Sequence, residues 1–165
     1  MRNALNILGF QLVWFACVLS AAAGQSWIGL CVFAAVIGLH LLYSSPRVKE
    51  AGLLILAACL GLVVETVLLA AGAFRFPSES LLPPAWMIAL WVNFATTLRY
   101  SMRWLEGRYA LAAVLGAVAG PLAYLGGARL GAIAGVDSVW PILVAWAAMT
   151  PFLVWIAKGV QKGNR

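Results

Sequence analysis

Glu65 is the one carboxylate that lies well inside an apolar stretch of this sequence. A charge at the centre of a bilayer costs on the order of 3 kcal/mol, so an ionisable residue there usually faces protein or a water-filled cavity. Glu65 is therefore a functional candidate by default. Alternatively, a neutral Glu65 only ties neighbouring helices together through hydrogen bonds. The sequence leaves both interpretations open.

Further polar side chains lie at about the depth of Glu65 if the apolar runs are helices that cross a bilayer. At a rise of ~1.5 Å per residue, Glu65 lies about 12 Å, Asn93 about 13 Å and Tyr124 about 10 Å from the outer ends of their runs. Gln11 is near the middle of the first run. We expect a polar cavity lined by Glu65, Asn93, Tyr124 and Gln11, with Thr97 alongside, and a hydrogen bond from the Glu65 acid to the Asn93 amide. Depth alone does not show that these side chains face one another, and each is alternatively an interhelical contact.

A second polar group is expected nearer the cytoplasmic ends of the runs: His40, Tyr100, Ser101 and Arg103, together with Asn6. His40 is the only histidine, and no second ligand stands three or four residues away, so no metal site is predicted. The sequence also has no phosphate-binding glycine loop, nucleophile elbow or haem-attachment motif. No cofactor is expected, and whether the chain is an enzyme is left open.

The stretch 81–108 carries half of these polar groups and is the element around which the chain is arranged. It opens with two prolines, which suit a helix start, and it ends among three arginines. Large aromatic and neutral hydrogen-bonding residues recur every three or four positions, which predicts one helix face: Trp86, Leu90, Asn93, Thr97, Tyr100 and Trp104. Such a face is typical of a helix that looks into a protein interior, because hydrocarbon cannot satisfy an amide.

The composition excludes a water-soluble domain. Of the 165 residues, 64% are hydrophobic and only 10% charged, whereas soluble domains carry about 25% charged residues. The mean hydropathy is +0.97. The net charge of +6 comes from short loops and the C-terminus, so it indicates membrane topology and contact with anionic lipid rather than a nucleic-acid surface. Membrane lipid is the expected partner, and nucleic acid is not.

Six apolar runs, each near the ~20 residues that cross the hydrocarbon core as a helix, organise the chain. They predict an all-α integral membrane protein, a six-transmembrane-helix bundle with short loops that forms one domain over residues 1–165. The predicted spans are 4–23, 26–43, 51–74, 84–105, 109–131 and 139–157.

The basic residues orient this bundle. With a cytoplasmic N-terminus, nine fall on the inner side and two, Arg75 and Arg129, on the outer side. The nine inner ones are Arg2, Arg47, Lys49, Arg99, Arg103, Arg108, Lys158, Lys162 and Arg165. This bias follows the positive-inside rule and places both termini in the cytoplasm.

Three segments resemble a known family. FQLVWFACVLSAA at 10–22, PAWMIALWVNFATTL at 84–98 with SMRWL at 101–105, and GAVAGPLAYLGGARLGA at 116–132 are similar to DUF2878, a family of small bacterial inner-membrane proteins of unknown function. The resemblance covers nearly the whole chain and carries over no catalytic residue. Genes of the family often lie among genes for fatty-acid modification, including cyclopropane-type lipid methylation, so the resemblance implies a membrane-lipid role by association only.

Together these observations favour a lipid-associated membrane protein with a small intramembrane polar cavity. Such a protein would handle a lipophilic molecule itself, or would support another membrane protein, such as a lipid-modifying enzyme. Two alternatives stay open. A small transporter needs a water-accessible path, and a purely structural subunit needs no cavity.

Overall fold

The computed structural model describes residues 2–78 and 80–162 as an all-α, membrane-type protein. The helices are α1 (Arg2–Ala22), α2 (Ser26–Tyr43), α3 (Arg47–Ala70), α4 (Ala85–Leu98), α5 (Tyr109–Arg129) and α6 (Val139–Lys162). All except α4 are long and apolar enough to cross a membrane. The predicted helical membrane class is therefore confirmed. Arg165, one of the basic residues counted in the topology, lies outside the described residues.

Glycines make the helix connections short. Gly24, Gly72 and Gly131 follow the ends of α1, α3 and α5 with φ angles of 71°, 68° and 91°, in the left-handed region that favours glycine. The backbone N–H of Gln25 then bonds the carbonyl of Ser20 at 2.8 Å, which closes the last turn of α1. Because only three residues separate α1 from α2, these two helices pack as an antiparallel hairpin.

Two helix groups lie side by side, joined by α3 and by a limited contact between α4 and α6. α1 packs against α2 and α4, and α5 packs against α6, while α3 contacts both α4 and α6. The α5–α6 contact is close because a Cβ atom on Gly120 would lie 2.6 Å from the Cβ of Trp146, which only glycine avoids. α4 and α5, in contrast, make at most marginal contact. This separation leaves a space between the two groups.

The helix predicted over 84–105 is wrong in its last part, because α4 ends at Leu98. The hydroxyls of Thr96 and Thr97 bond the carbonyls of Asn93 and Phe94 at 2.7 and 2.6 Å, an arrangement that competes with continued helix. A turn and a short 3-10 helix (Arg103–Leu105) follow. Tyr100 and Trp104 therefore do not extend the face of α4.

A pair of two-residue strands joins two of the helix connections, which the sequence did not predict. β1 (Phe74–Arg75) pairs antiparallel with β2 (Gly135–Val136). Arg75 donates two hydrogen bonds to Asp137, at 2.7 and 2.8 Å. These bonds lower the pKa of the Asp137 carboxyl and raise that of the Arg75 guanidinium. The strands thus hold the α3–α4 and α5–α6 connections together at one end of the bundle.

Candidate functional site

An elongated cavity of about 450 Å³ lies between the α1–α4 group and the α5–α6 pair. This volume is within the range of about 300–1,000 Å³ that is usual for ligand pockets. Apolar and aromatic side chains form most of the wall, among them Trp14, Trp86, Leu90, Phe94 and Trp146. The cavity therefore suits a largely apolar occupant.

The cavity extends over much of the bundle's height. Along α5 its wall runs from Leu115 to Gly127, a rise of about 18 Å at ~1.5 Å per residue. That is more than half of the ~30 Å hydrocarbon core of a bilayer. At the β1–β2 end, the buried side chains of Trp86 and Ile133 form the wall.

One side of the cavity is open. Ile7 and Gln11 on α1, and Ala119 on α5, line the cavity and are also exposed. Since α1 and α5 form opposite walls, the opening lies between these two helices. Leu8 and Val118 flank it on the outer surface and are exposed as well, so the rim of the opening is mainly apolar.

Glu65 is the buried acid of this cavity. Glu65 is only 1% exposed. Its Oε1 accepts a hydrogen bond from the indole N–H of Trp91 at 2.7 Å and another from the hydroxyl of Tyr124. Its Oε2 is buried without a partner among the described residues. No described arginine, lysine or histidine pairs with Glu65.

The position of Trp91 follows from a glycine one helical turn before Glu65. A Cβ atom on Gly61 would lie 2.5 Å from Cγ of Trp91, so the missing side chain lets the indole lie against α3. The ring of Trp146 stacks on the other side, with centroids 4.7 Å apart. Trp91 is thus held between α3 and α6 with its N–H on Glu65. The sequence analysis missed this partner, although the Gly61–Glu65 spacing was a signal for it.

Four of the five residues expected around the polar cavity line this space: Glu65, Tyr124, Gln11 and Thr97. Asn93 does not line it. Its Nδ2 donates to the carbonyl of Phe10 at 2.9 Å, and its Oδ1 is buried without a partner among the described residues.

The expected Glu65–Asn93 hydrogen bond is therefore wrong. Asn93 stands two residues after Trp91, which is about 200° around a helix with 3.6 residues per turn. When Trp91 faces α3, Asn93 must face α1. Whether the cavity residues have a function stays a prediction.

The second expected cluster, His40, Tyr100, Ser101 and Arg103, is divided. His40 lies 2.7 Å from Oε1 of Glu50, and Arg99 donates to Oε2 of the same carboxylate. Tyr100 stacks edge-on against His40, with centroids 5.1 Å apart, and donates to Ser44 at 3.0 Å. Glu50 is fully buried. This ion-pair cluster ties α2, α3 and the end of α4 together, and the sequence analysis missed its two charged partners, Glu50 and Arg99.

Ser101 and Arg103 lie apart from that cluster. The hydroxyl of Ser101 donates to Asn6 at 2.6 Å, and Asn6 in turn donates to the carbonyl of Thr96 at 3.1 Å. The side chain of Arg103 is 65% exposed and lies 3.7 Å from Glu106. Ser101 also lines the cavity, so it marks the cavity's end opposite the strands.

The chemistry of the cavity is limited to hydrogen bonding. Glu65, Trp91 and Tyr124 form one hydrogen-bonded group, and the rest of the mainly apolar wall, among the described residues, carries only neutral polar side chains: Gln11, Thr97, Ser101 and Thr150. Within residues 2–78 and 80–162, no three histidine, cysteine, aspartate or glutamate side chains stand together as a metal-ligand set. The arrangement can therefore anchor a polar group of a mostly apolar molecule.

Comparison with known proteins identifies the family but not the activity. No curated protein and no solved structure matches the chain. The model of the family described as "protein of unknown function (DUF2878)" matches residues 3–152. That range contains every residue named above as lining the cavity, and it agrees with the resemblance seen in the sequence. The chain belongs to the DUF2878 family.

Proposed function

We propose that this protein binds an elongated lipophilic molecule within the membrane, in the cavity between α1, α4, α5 and α6. One observation carries the proposal: a mainly apolar cavity wall contains a buried carboxyl group with one unpaired oxygen, Oε2 of Glu65. A buried polar atom without a partner costs about 1–3 kcal/mol. A bound molecule with one polar group would remove that cost.

The form of Glu65 that fits this role is the neutral acid. An ionised carboxylate without a cation is expensive in an apolar interior. With Oε1 accepting two hydrogen bonds, the acid proton belongs on Oε2, from which it donates. The ligand group that meets Glu65 is then an acceptor oxygen, such as a hydroxyl, ether or carbonyl.

The sideways opening favours a lipophilic ligand over the transporter alternative. Ile7 and Ala119 stand at the opening beside Gln11, and the exposed side chains that flank it are apolar. In a membrane this rim would face hydrocarbon, so a lipid-like molecule would enter without crossing water. A transporter of small polar molecules would instead need a hydrated path. A purely structural subunit would gain nothing from an unpaired carboxyl oxygen.

The same proposal includes the membrane topology. All six helices cross the bacterial inner membrane, both termini are cytoplasmic, and α4 is completed by the flanking segments because its 14 residues rise only about 21 Å. The excess of basic residues at one end supports this orientation.

In a variant with Cys17, Cys31 and Cys59 replaced by alanine, an added cysteine at exposed Ser78 should react with a membrane-impermeant thiol reagent. One at exposed Arg108 should react only after the cells are opened, and the reverse pattern would overturn the topology.

Photocrosslinking tests the binding itself. An alkyl probe that carries a diazirine group is added to membranes that contain the protein, irradiated, and located by peptide mass spectrometry. We expect adducts on the cavity walls, at Trp14, Leu90 and Ala123, that an excess of unlabelled alkyl alcohol suppresses. Adducts confined to outward-facing residues such as Leu62 and Val63, without competition, would mean that the probe only samples surrounding lipid.

The protein either uses the bound molecule itself or presents it to a membrane-lipid-modifying enzyme. Both roles need the same cavity. A lipidome comparison of cells with and without the gene would show a changed class of lipid in either case, and unchanged lipids would count against both.

A further inference from the structure

A second hollow adjoins the cavity at the end opposite the strands. It measures about 600 Å³ and is lined by six residues: Asn3, Arg99, Tyr100, Ser101, Arg103 and Trp104. Ser101 and Trp104 line the cavity as well, so the two spaces meet there. We call this hollow the arginine mouth.

As far as the structure describes the chain, the wall of the arginine mouth carries two guanidinium groups and no carboxylate. Arg99 is 92% buried, since its side chain is 8% exposed. It donates to Glu50 from one terminal nitrogen and to the carbonyl of Ser45 at 3.4 Å from the other. Its Nε is buried without a partner among the described residues. Arg99 therefore contributes a positive charge to the wall of the mouth, while its hydrogen bonds hold the guanidinium in place from the protein side.

Arg103 supplies the second charge. It is mostly exposed, and the nearest carboxylate oxygen, on Glu106, lies 3.7 Å away, beyond hydrogen-bond distance. Glu50 and Glu106 balance the arginine charges from behind, but neither lines the mouth. Among the described residues, a group placed in the mouth thus meets guanidinium groups, neutral polar side chains and the ring of Trp104.

We propose that the ligand is a long-chain fatty acid, with its carboxylate in the arginine mouth and its chain in the cavity. This inference rests on the proposed function and names the ligand class for the same site. Guanidinium groups bind carboxylates through charge-assisted hydrogen bonds that are about twice as strong as neutral ones. An apolar groove that ends in two arginines is complementary to one chain with one anionic end.

The distance to Glu65 adds a second feature of the ligand. Trp91, which bonds Glu65, stands eight residues before Arg99, a rise of about 12 Å at ~1.5 Å per residue. An extended chain advances about 3.5 Å for every three bonds, so this distance corresponds to about ten bonds. A hydroxyl or oxo group near the middle of the fatty acid would therefore accept the proton that Glu65 offers.

Three probes of equal chain length test this assignment: a mid-chain hydroxy fatty acid, the unsubstituted fatty acid and the corresponding fatty alcohol. Their Kd values are measured at pH 8 by native mass spectrometry of the purified protein in a nonionic detergent. We expect the unsubstituted acid to bind at least about tenfold more tightly than the alcohol, because a hydrogen bond to a charged group is about twice as strong as one between neutral groups. The hydroxy acid should bind more tightly again.

Matched arginine variants locate the effect. Arg103→Gln should reduce the preference for acid over alcohol several-fold, whereas Arg108→Gln should leave it unchanged, since Arg108 is exposed nearby but does not line the mouth. Arg99 is left intact because it also pairs with the buried carboxylate of Glu50, so its removal would disturb the fold as well as the mouth. If both variants lose the preference for acid over alcohol equally, the preference comes from the overall positive charge rather than from the mouth, and the assignment is overturned.

The remaining outcomes separate this inference from the proposed function. If acid and alcohol bind wild type equally and Ala123→Phe abolishes both, the cavity binds lipophilic molecules but the mouth does not recognise a carboxylate. If phosphatidylglycerol displaces the acid and binds more tightly, the head group is a lipid phosphate and the fatty-acid assignment is wrong. If wild type binds none of the probes, both proposals fail.

Discussion

Replacing Glu65 tests whether it acts as a neutral hydrogen-bonding group. In Glu65→Leu, the indole N–H of Trp91 and the hydroxyl of Tyr124 lose their acceptor. Interhelical hydrogen bonds in membranes average about 0.6 kcal/mol and reach about 1.7. Losing two should therefore lower the free energy of unfolding by about 1–3 kcal/mol. In Glu65→Gln the amide oxygen still accepts both bonds, and the change should stay below about 0.6 kcal/mol.

Reversible unfolding in mixed micelles, followed by tryptophan fluorescence or far-UV circular dichroism, gives these free energies. A cycle with Trp91→Phe should show a coupling energy of about 0.6–1.7 kcal/mol with Glu65→Leu. A cycle with Asn93→Leu is the matched control and should be additive, because Asn93 bonds Phe10 instead. A Glu65→Gln variant as unstable as Glu65→Leu would refute the neutral-acid reasoning, as would an additive Trp91 cycle.

Two further substitutions test the packing that supports the site. Gly61→Ala places a Cβ atom 2.5 Å from Trp91 and should lower the free energy of unfolding by about 1–3 kcal/mol. Its control is Gly52→Ala, which has open space around it and should leave the free energy of unfolding unchanged or raise it in the same assay. Glu50→Gln leaves the guanidinium of Arg99 buried without its carboxylate and should lower the free energy of unfolding by about 3–5 kcal/mol, whereas a loss below about 1 kcal/mol would show that this ion pair is not structural.

The membrane class and the family were predictable because both depend on features that run along the whole chain. Long apolar runs determine helices in a membrane, whatever their neighbours are. The depth of Glu65 and Tyr124 also followed from counting residues along each run. Their hydrogen bond agrees with that estimate, since two groups must share a depth in order to meet.

The side of α4 on which Asn93 lies was not predictable from its depth along the helix. Asn93 matches Glu65 in depth but lies about 200° around the helix from Trp91. Gly61 determines that Trp91 rather than Asn93 points toward Glu65, because its missing side chain makes room for the indole. Counting residues along a helix gives the depth of a side chain but does not reveal such packing between helices.

The ion-pair cluster was missed because Glu50 stands at the beginning of a helix, where a carboxylate is usually solvated. The pattern of buried residues along α3 shows which feature of the sequence could have predicted the burial of Glu50. A single buried stripe, spaced by three or four residues, runs along this helix through Glu50, Leu54, Ala57, Gly61, Glu65 and Leu68. That period places both acids on the packed face, where each requires partners.

The short α4 illustrates a different limit. The three- and four-residue spacing of the face through Asn93 and Thr97 continues to Trp104, so the sequence predicts helix to about residue 105. The helix instead ends at Leu98, where Arg99 is drawn to Glu50 and Ser101 to Asn6. Such long-range polar contacts override local helix preference.

The central claim, that the cavity holds a lipophilic molecule, is tested most directly by what the purified protein retains. Native mass spectrometry of wild type extracted in a mild detergent should show a bound apolar molecule. Ala123→Phe, which fills the cavity from α5, should lose it, while Val114→Phe, on the outward side of the same helix, should keep it. Equal retention by the two variants, or no bound molecule in wild type, would contradict the claim.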